Sequence, residues 1–186
     1  MLFENNFVIL DLEYTAWEGS IARQWSGKNE HREIIEIGAL LVNLIEGKYY
    51  IKDIFNELVI PKKNKKLSTY ITDLTGITNR KINESGVPFD SAFYNFLSFI
   101  DKNSIYQYGN DNEVIKENLR INNIKYNLNN ISFKNIRPLI EKSLNLDKDT
   151  VDSSDLISHI GLKNDTKHRA VQDCKAILKV INYIIK

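Results

Sequence analysis

The sequence is short of cysteine, of net charge and of long apolar runs, and each shortage excludes something. Cys174 is the single cysteine, so no intrachain disulfide and no cysteine-based zinc site is possible. That suits a reducing, cytoplasmic setting. The 25 Lys and Arg against 24 Asp and Glu give a formal net charge of +1. No global field therefore attracts a polyanion, and nucleic-acid binding requires a local arrangement of charge or metal ions. No stretch reaches the roughly 18 uninterrupted apolar residues of a membrane span, and the last apolar stretch is broken by Lys179. No basic stretch followed by an apolar run marks a signal peptide. Repeats of 20–50 residues and low-complexity tails are also missing.

What is present fits one globular domain over residues 1–186: 42% apolar and 26% charged residues, enough chain to bury a core unaided. Phe7–Leu12, Ile34–Ile45 and Tyr49–Val59 read as strands. Gly47 makes a hairpin turn between the second and third, and Pro61 closes the third. A basic connection follows at Lys62, Lys63, Lys65 and Lys66, read as a solvated loop. Thr69–Leu74 reads as a short helix stopped by Gly76. In Phe89–Ile100 the apolar residues fall on one helical face. Ile105–Tyr108 and Ile131–Phe133 read as short strands. Glu113–Leu119, Pro138–Leu144, Ser153–His159 and a last segment from about His168 read as helices. Three strands, then helices, then strands alternating with helices predict an α/β fold: a mixed central β-sheet flanked by helices, of ribonuclease-H-like type.

Three clusters carry chemistry. Asp11 and Glu13 interrupt an apolar strand end, and residues two apart on a strand share a face. Two carboxylates held side by side repel and call for a compensating cation; the bland alternative is a solvated pair. Asp111 opens a helix, where it could serve as a cap, as a ligand, or as both. In His168-Arg169-Ala170-Val171-Gln172-Asp173, five positions on a helix separate two side chains by about 140°. His168 and Asp173 thus converge only if His168 lies at the helix entrance. Asn164, Asp165 and Thr166 just before it are good helix-start residues. Ala170, one turn before Asp173, leaves room beside that carboxylate.

Taken together, Asp11, Glu13, Asp111, His168 and Asp173 resemble the motifs of the DEDDh (DnaQ-like) 3′–5′ exonucleases. That family carries Asp-x-Glu first, an Asp second and His-x-Ala-x-x-Asp third. Ile34-Ile35-Glu36-Ile37-Gly38-Ala39 and Leu74-Thr75-Gly76-Ile77-Thr78 are similar to further family stretches. The opening Asp11-Leu12-Glu13-Tyr14-Thr15-Ala16-Trp17 resembles the RNA-trimming branch. One departure stands out: Tyr108-Gly109-Asn110-Asp111 is one residue shorter than the family's usual second motif, which leaves Asn112 as a rival alignment. Asp111 is preferred, because Val114 and Ile115 then fall at apolar positions and Asn is a poorer ligand for a hard cation.

The resemblance implies a hydrolase acting on the 3′ end of single-stranded RNA or DNA and releasing nucleoside 5′-monophosphates. It implies two Mg²⁺ or Mn²⁺ ions, suited to oxygen ligands. In that scheme Asp11 contacts both ions, Glu13 and Asp173 serve one, Asp111 serves the other, and His168 is the general base. Leu12, Thr15, Trp17, Leu74 and Ile77, with His168, are the implied substrate contacts. Leu74 and Ile77 would wedge between bases, and Trp17 would stack. No membrane partner is expected, and no protein partner is identified. His31, His159, Trp25 and Cys174 are read as packing or support, with Trp25 backing the loop after the first strand. The alternatives are an inactive nucleic-acid-binding module of the same fold, a proofreading subunit of a DNA polymerase, a ribonuclease-H-type endonuclease, and a structural or partner-binding role. A free-standing enzyme is expected.

Overall fold

A computed structural model describes residues 3–163 and 168–185. Within it, β1 (Asn6–Tyr14), β2 (Ile34–Ile45) and β3 (Lys48–Ile60) form an antiparallel meander. Helices α1 (Thr69–Thr75) and α2 (Asn79–Ser85), the two-residue β4 (Val87–Pro88) and α3 (Phe89–Ile100) follow. The chain then returns through β5 (Ile105–Gln107), α4 (Asp111–Asn122), β6 (Phe133–Asn135) and α5 (Arg137–Leu144). A 3-10 segment, Ser153–Ile160, precedes α6 (Ala170–Ile184). The sheet runs β4-β3-β2-β1-β5-β6, and β5 lies parallel to both β1 and β6. The mixed α/β architecture is the expected one.

Alternation along β1 builds two cores. Phe7 and Ile9 point into one, under α6, with Leu40, Val42, Ile177 and Ile181. Val8, Leu10 and Leu12 point into the other, under α3 and α4, with Phe93, Phe96 and Ile115. A third cluster, around Ile35, Ile71, Ile77 and Ile82, seats α1 and α2 beside the sheet. Among the described residues no helix is long and apolar enough to cross a membrane.

The differences from the sequence reading are local. The strand expected at Ile131–Phe133 runs Phe133–Asn135, because Leu128–Asn130 winds into a 3-10 turn capped by the Asn127 side chain. The short helix expected at Ser153–His159 is present, is of 3-10 type, runs to Ile160 and ends at Gly161. Helix α2 and strand β4 were missed: each is too short to show a period. The last helix starts at Ala170, with Arg169 at its cap and His168 in the left-handed region, φ 54°. Asn164, Asp165 and Thr166 lie outside the described residues.

Candidate active site

Asp11 and Glu13 sit on β1, and their partners across the β1–β2 pairing are Gly38 and Glu36. By alternation both carboxylates face the α6 side, like Phe7 and Ile9. Gly38 decides how close α6 comes. A Cβ there would lie 2.5 Å from the Ala170 carbonyl carbon and the Val171 nitrogen, and 2.6 Å from the Ala170 Cβ. Only glycine permits the helix backbone to rest on the strand. Asp173 follows one turn later and is 2% exposed. Its ligand oxygen and those of Asp11 and Glu13 all lie within 4.8 Å of one another.

Asp111 approaches from the second core's side. Gly109 adopts φ 129°, a conformation that suits glycine, and turns the chain from β5 into α4. Asp111 is the first helical residue, while Asn110 holds the cap position without a side-chain bond. The capping role weighed for Asp111 is therefore not observed. Its rival Asn112 is committed elsewhere. The Asn112 backbone N–H donates to Gln107 Oε1 (3.0 Å), and Gln107 Nε2 donates to Asn112 Oδ1 (2.7 Å). Helix α4 is fixed in turn by Asn118, whose Oδ1 accepts the Ile34 N–H (3.0 Å) and whose Nδ2 donates to the Arg32 carbonyl (2.7 Å).

The four carboxyls destabilise each other's charged forms. Burial, then Asp111, Asp173 and Glu13, raise the Asp11 pKa well above the usual range. Burial, then Asp173 and Glu36, do the same to Glu13. Burial pushes Asp111 up to about 7. Burial and Glu36 push Asp173 up to about 7, against a backbone hydrogen bond from His168 that lowers it. Asp173 Oδ1 is buried with no hydrogen-bond partner. The Arg169 guanidinium is engaged with Glu36, Nη2 to Oε1 at 2.6 Å. Three oxygen donors within 4.8 Å, one of them with an unpartnered buried atom, and Asp111 near enough to act on Asp11 fit a divalent hard cation.

Three contributors escaped the sequence reading. Glu36 is 1% exposed, takes Arg169 bidentately and accepts the Ala170 N–H at 3.0 Å. It thereby ties the start of α6 to β2. A charged residue inside Ile34-Ile35-Glu36-Ile37 was the available signal. Ser153 Oγ lies 3.4 Å from Asp11 Oδ1, a contact that nothing in the local pattern announces. Glu33 accepts the backbone N–H groups of Lys62, Lys63 and Asn64 at 2.6–2.8 Å. The basic connection is solvated as expected, with Lys62, Lys63, Lys65 and Lys66 all exposed, while its backbone is anchored by Glu33.

Burial divides the implied substrate contacts into two groups. Leu12 (5% exposed) and Ile77 (0%) have their side chains in the cores. Thr15 accepts the Glu33 N–H through Oγ1 (3.0 Å) and donates to the His31 carbonyl. Leu74, 37% exposed, and Trp17, half-buried, remain accessible. Trp25 supports the loop after β1 as expected: its Nε1 donates to the Thr15 carbonyl at 3.1 Å. Cys174 is buried against Ile9 and Gly38.

A mixed sheet of this order, with acids gathered where β1, α4 and α6 meet, defines the ribonuclease-H-like nuclease class. The chain belongs to the RNase T exonuclease family, which matches residues 8–181. It is 36% identical over 93 residues to the 3′-5′ exonuclease Snipper of Drosophila melanogaster, covering 50% of this chain and 31% of that protein. It is 34% identical over 100 residues to ERI1 exoribonuclease 2 of Xenopus laevis, covering 54% and 13%. The chain therefore spans less than a third of these relatives. The solved nuclease domain of 3′hExo, a DEDDh family member bound to rAMP, superimposes with TM-score 0.80 at 21% identity, covering 98% of this chain and 92% of that one.

Proposed function

We propose that residues 1–186 form one 3′–5′ exonuclease domain that removes nucleoside 5′-monophosphates from single-stranded RNA or DNA. The observation that carries this reading is the convergence of Asp11, Glu13 and Asp173 within 4.8 Å, with Asp111 coupled to them electrostatically. Asp11, Glu13, Asp111 and Asp173 are the residues that would hold Mg²⁺ or Mn²⁺, in a two-ion arrangement by family resemblance. Such ions supply charge neutralisation at the scissile phosphate and a more acidic water. Asp11 and Glu13 would hold the ions from rigid β1, and Asp111 and Asp173 would do so from helix starts. His168 stands at the entrance to α6, one residue before the cap, and is assigned as general base for the attacking water. Imidazole is the side chain most often used to take a proton at neutral pH. Trp17 and Leu74 are the accessible candidates for stacking on the terminal bases. The Trp17 region and the exoribonuclease relative favour RNA.

The test is digestion of 5′-labelled single-stranded RNA and DNA with Mg²⁺, Mn²⁺ or EDTA, beside Asp11→Ala. A ladder shortening from the 3′ end, lost in EDTA and in the variant, is expected. Internal cuts, or binding without cleavage under either metal, would overturn it. A mismatched against a matched primer end sorts proofreading from free-standing trimming.

A further inference from the structure

A groove of about 780 Å³ runs along the outer side of α4, closed by residues 124–133. Its lining includes Asn112 and Glu113 at the start of α4, then Lys116, Arg120 and Lys125, with Tyr126 and Asn127. Arg120 and Lys125 form no ion pair with any described residue; Lys116 meets Glu113 at 3.5 Å on the exposed surface. With a net charge of +1, the chain has little general attraction for a polyanion, so a local row of cations is what could retain one. The side chains at 112, 116 and 120 are spaced by four, which lines them up on one helical face. From Asp111 to Arg120 the helix rises about 14 Å, room for about four nucleotides at a stacked spacing of roughly 3.4 Å. Tyr126 is half-buried in the wall, its ring packed edge-on against Phe93 at 5.2 Å between centroids, so only its outer part is open to a base.

We propose that this groove is a binding track for the phosphate backbone of the strand 5′ to the scissile nucleotide. Lys116, Arg120 and Lys125 neutralise successive phosphates, while the terminal nucleotide occupies the acid site. The track rests on the exonuclease reading for its orientation but not for its existence. It makes substrate length, rather than terminal chemistry alone, a determinant of affinity.

The test combines Lys116→Ala, Arg120→Ala and Lys125→Ala. A control removes three exposed cations elsewhere, Lys102→Ala, Lys142→Ala and Lys179→Ala, for the same change of net charge. Binding of labelled 12-nucleotide RNA and DNA is measured by anisotropy in EDTA over a salt series, and cleavage of the 12-mer and a dinucleotide is measured with Mg²⁺. The groove variant should bind the 12-mer roughly tenfold more weakly, with a salt slope reduced by about 2, and the control should not. Its KM for the 12-mer should rise with kcat and dinucleotide cleavage unchanged. Equal affinity and slope in groove variant and wild type would overturn the track. If wild type cleaves neither substrate yet loses 12-mer binding in the groove variant, the exonuclease reading fails and the track stands.

Discussion

Asp173 shows how much a single residue is asked to do. It is buried, crowded by Glu36, Asp155 and Asp152, and has an oxygen without a partner. A carboxyl whose folded pKa is raised holds its proton when the unfolded chain has lost it. Between about pH 4 and pH 7, the folded state therefore binds more protons than the unfolded state, and stability falls as pH rises. Asp111 behaves alike. Thermal melts in EDTA should show Tm several degrees lower at pH 8 than at pH 5. Mg²⁺ should recover it at pH 8 and do little at pH 5; a Tm indifferent to metal at pH 8 would contradict the cluster's role. Asp111→Asn should stabilise the metal-free protein at pH 8 by about 1–3 kcal/mol in denaturant titration while cutting hydrolysis at least a hundredfold. The residue types and their order were legible, since Asp11 and Glu13 break an apolar strand. Glu36 shows locally only as a charge inside an apolar strand and Ser153 not at all, because their partners lie 133 and 142 positions away.

At the scale of elements, the contact that matters is α6 on β2. Gly38→Ala would force a methyl into the Ala170–Val171 backbone. The helix must then lift, costing about 1–3 kcal/mol, and Asp173 leaves the cluster. Equilibrium unfolding and Mg²⁺-dependent activity should both fall; a variant with native stability would show the approach is not tight. Long periodic elements were readable from sequence: Phe89–Ile100 has the predicted bounds, and β2 matches as well. Asp111–Asn122 outran its predicted length at both ends, since Asp111 and Asn112 are polar and give no period. The 3-10 segment at Ser153–Ile160 looked helical because i and i+3 spacing serves both helix types. Substrate contacts were the least legible. Leu12 and Ile77 are apolar residues near a site, and the sequence alone does not say that the core takes them.

For the whole molecule, the order of strands is the property least visible in the chain. Nothing local requires β5 to lie beside β1, yet that parallel pairing brings Asp111 to Asp11. The sheet also has a vulnerable side. β4 pairs only with Val59 and Ile60, so most of β3 faces outward. Three devices protect it: the charges of Lys48, Lys52, Asp53 and Glu57, a register shift opposite Leu41–Val42, and Asp53 Oδ1 accepting the Ile54 N–H at 2.8 Å. These are the usual guards of an edge strand. Replacing Lys52 and Asp53 with Val should produce concentration-dependent association in light scattering, with activity per folded molecule unchanged. A variant that stays monodisperse would mean the bend alone protects the edge.

The clasp between Glu36 and Arg169 also bears on the order in which the chain is made. A ribosome releases β1 and β2 long before it reaches Arg169 and Asp173, and N-terminal portions tend to fold first. Until α6 emerges and settles on Gly38, Asp11 and Glu13 stand without their third carboxylate. On the exonuclease reading, a chain interrupted before α6 therefore lacks a carboxylate that the site needs, and the site is completed only when the last helix docks.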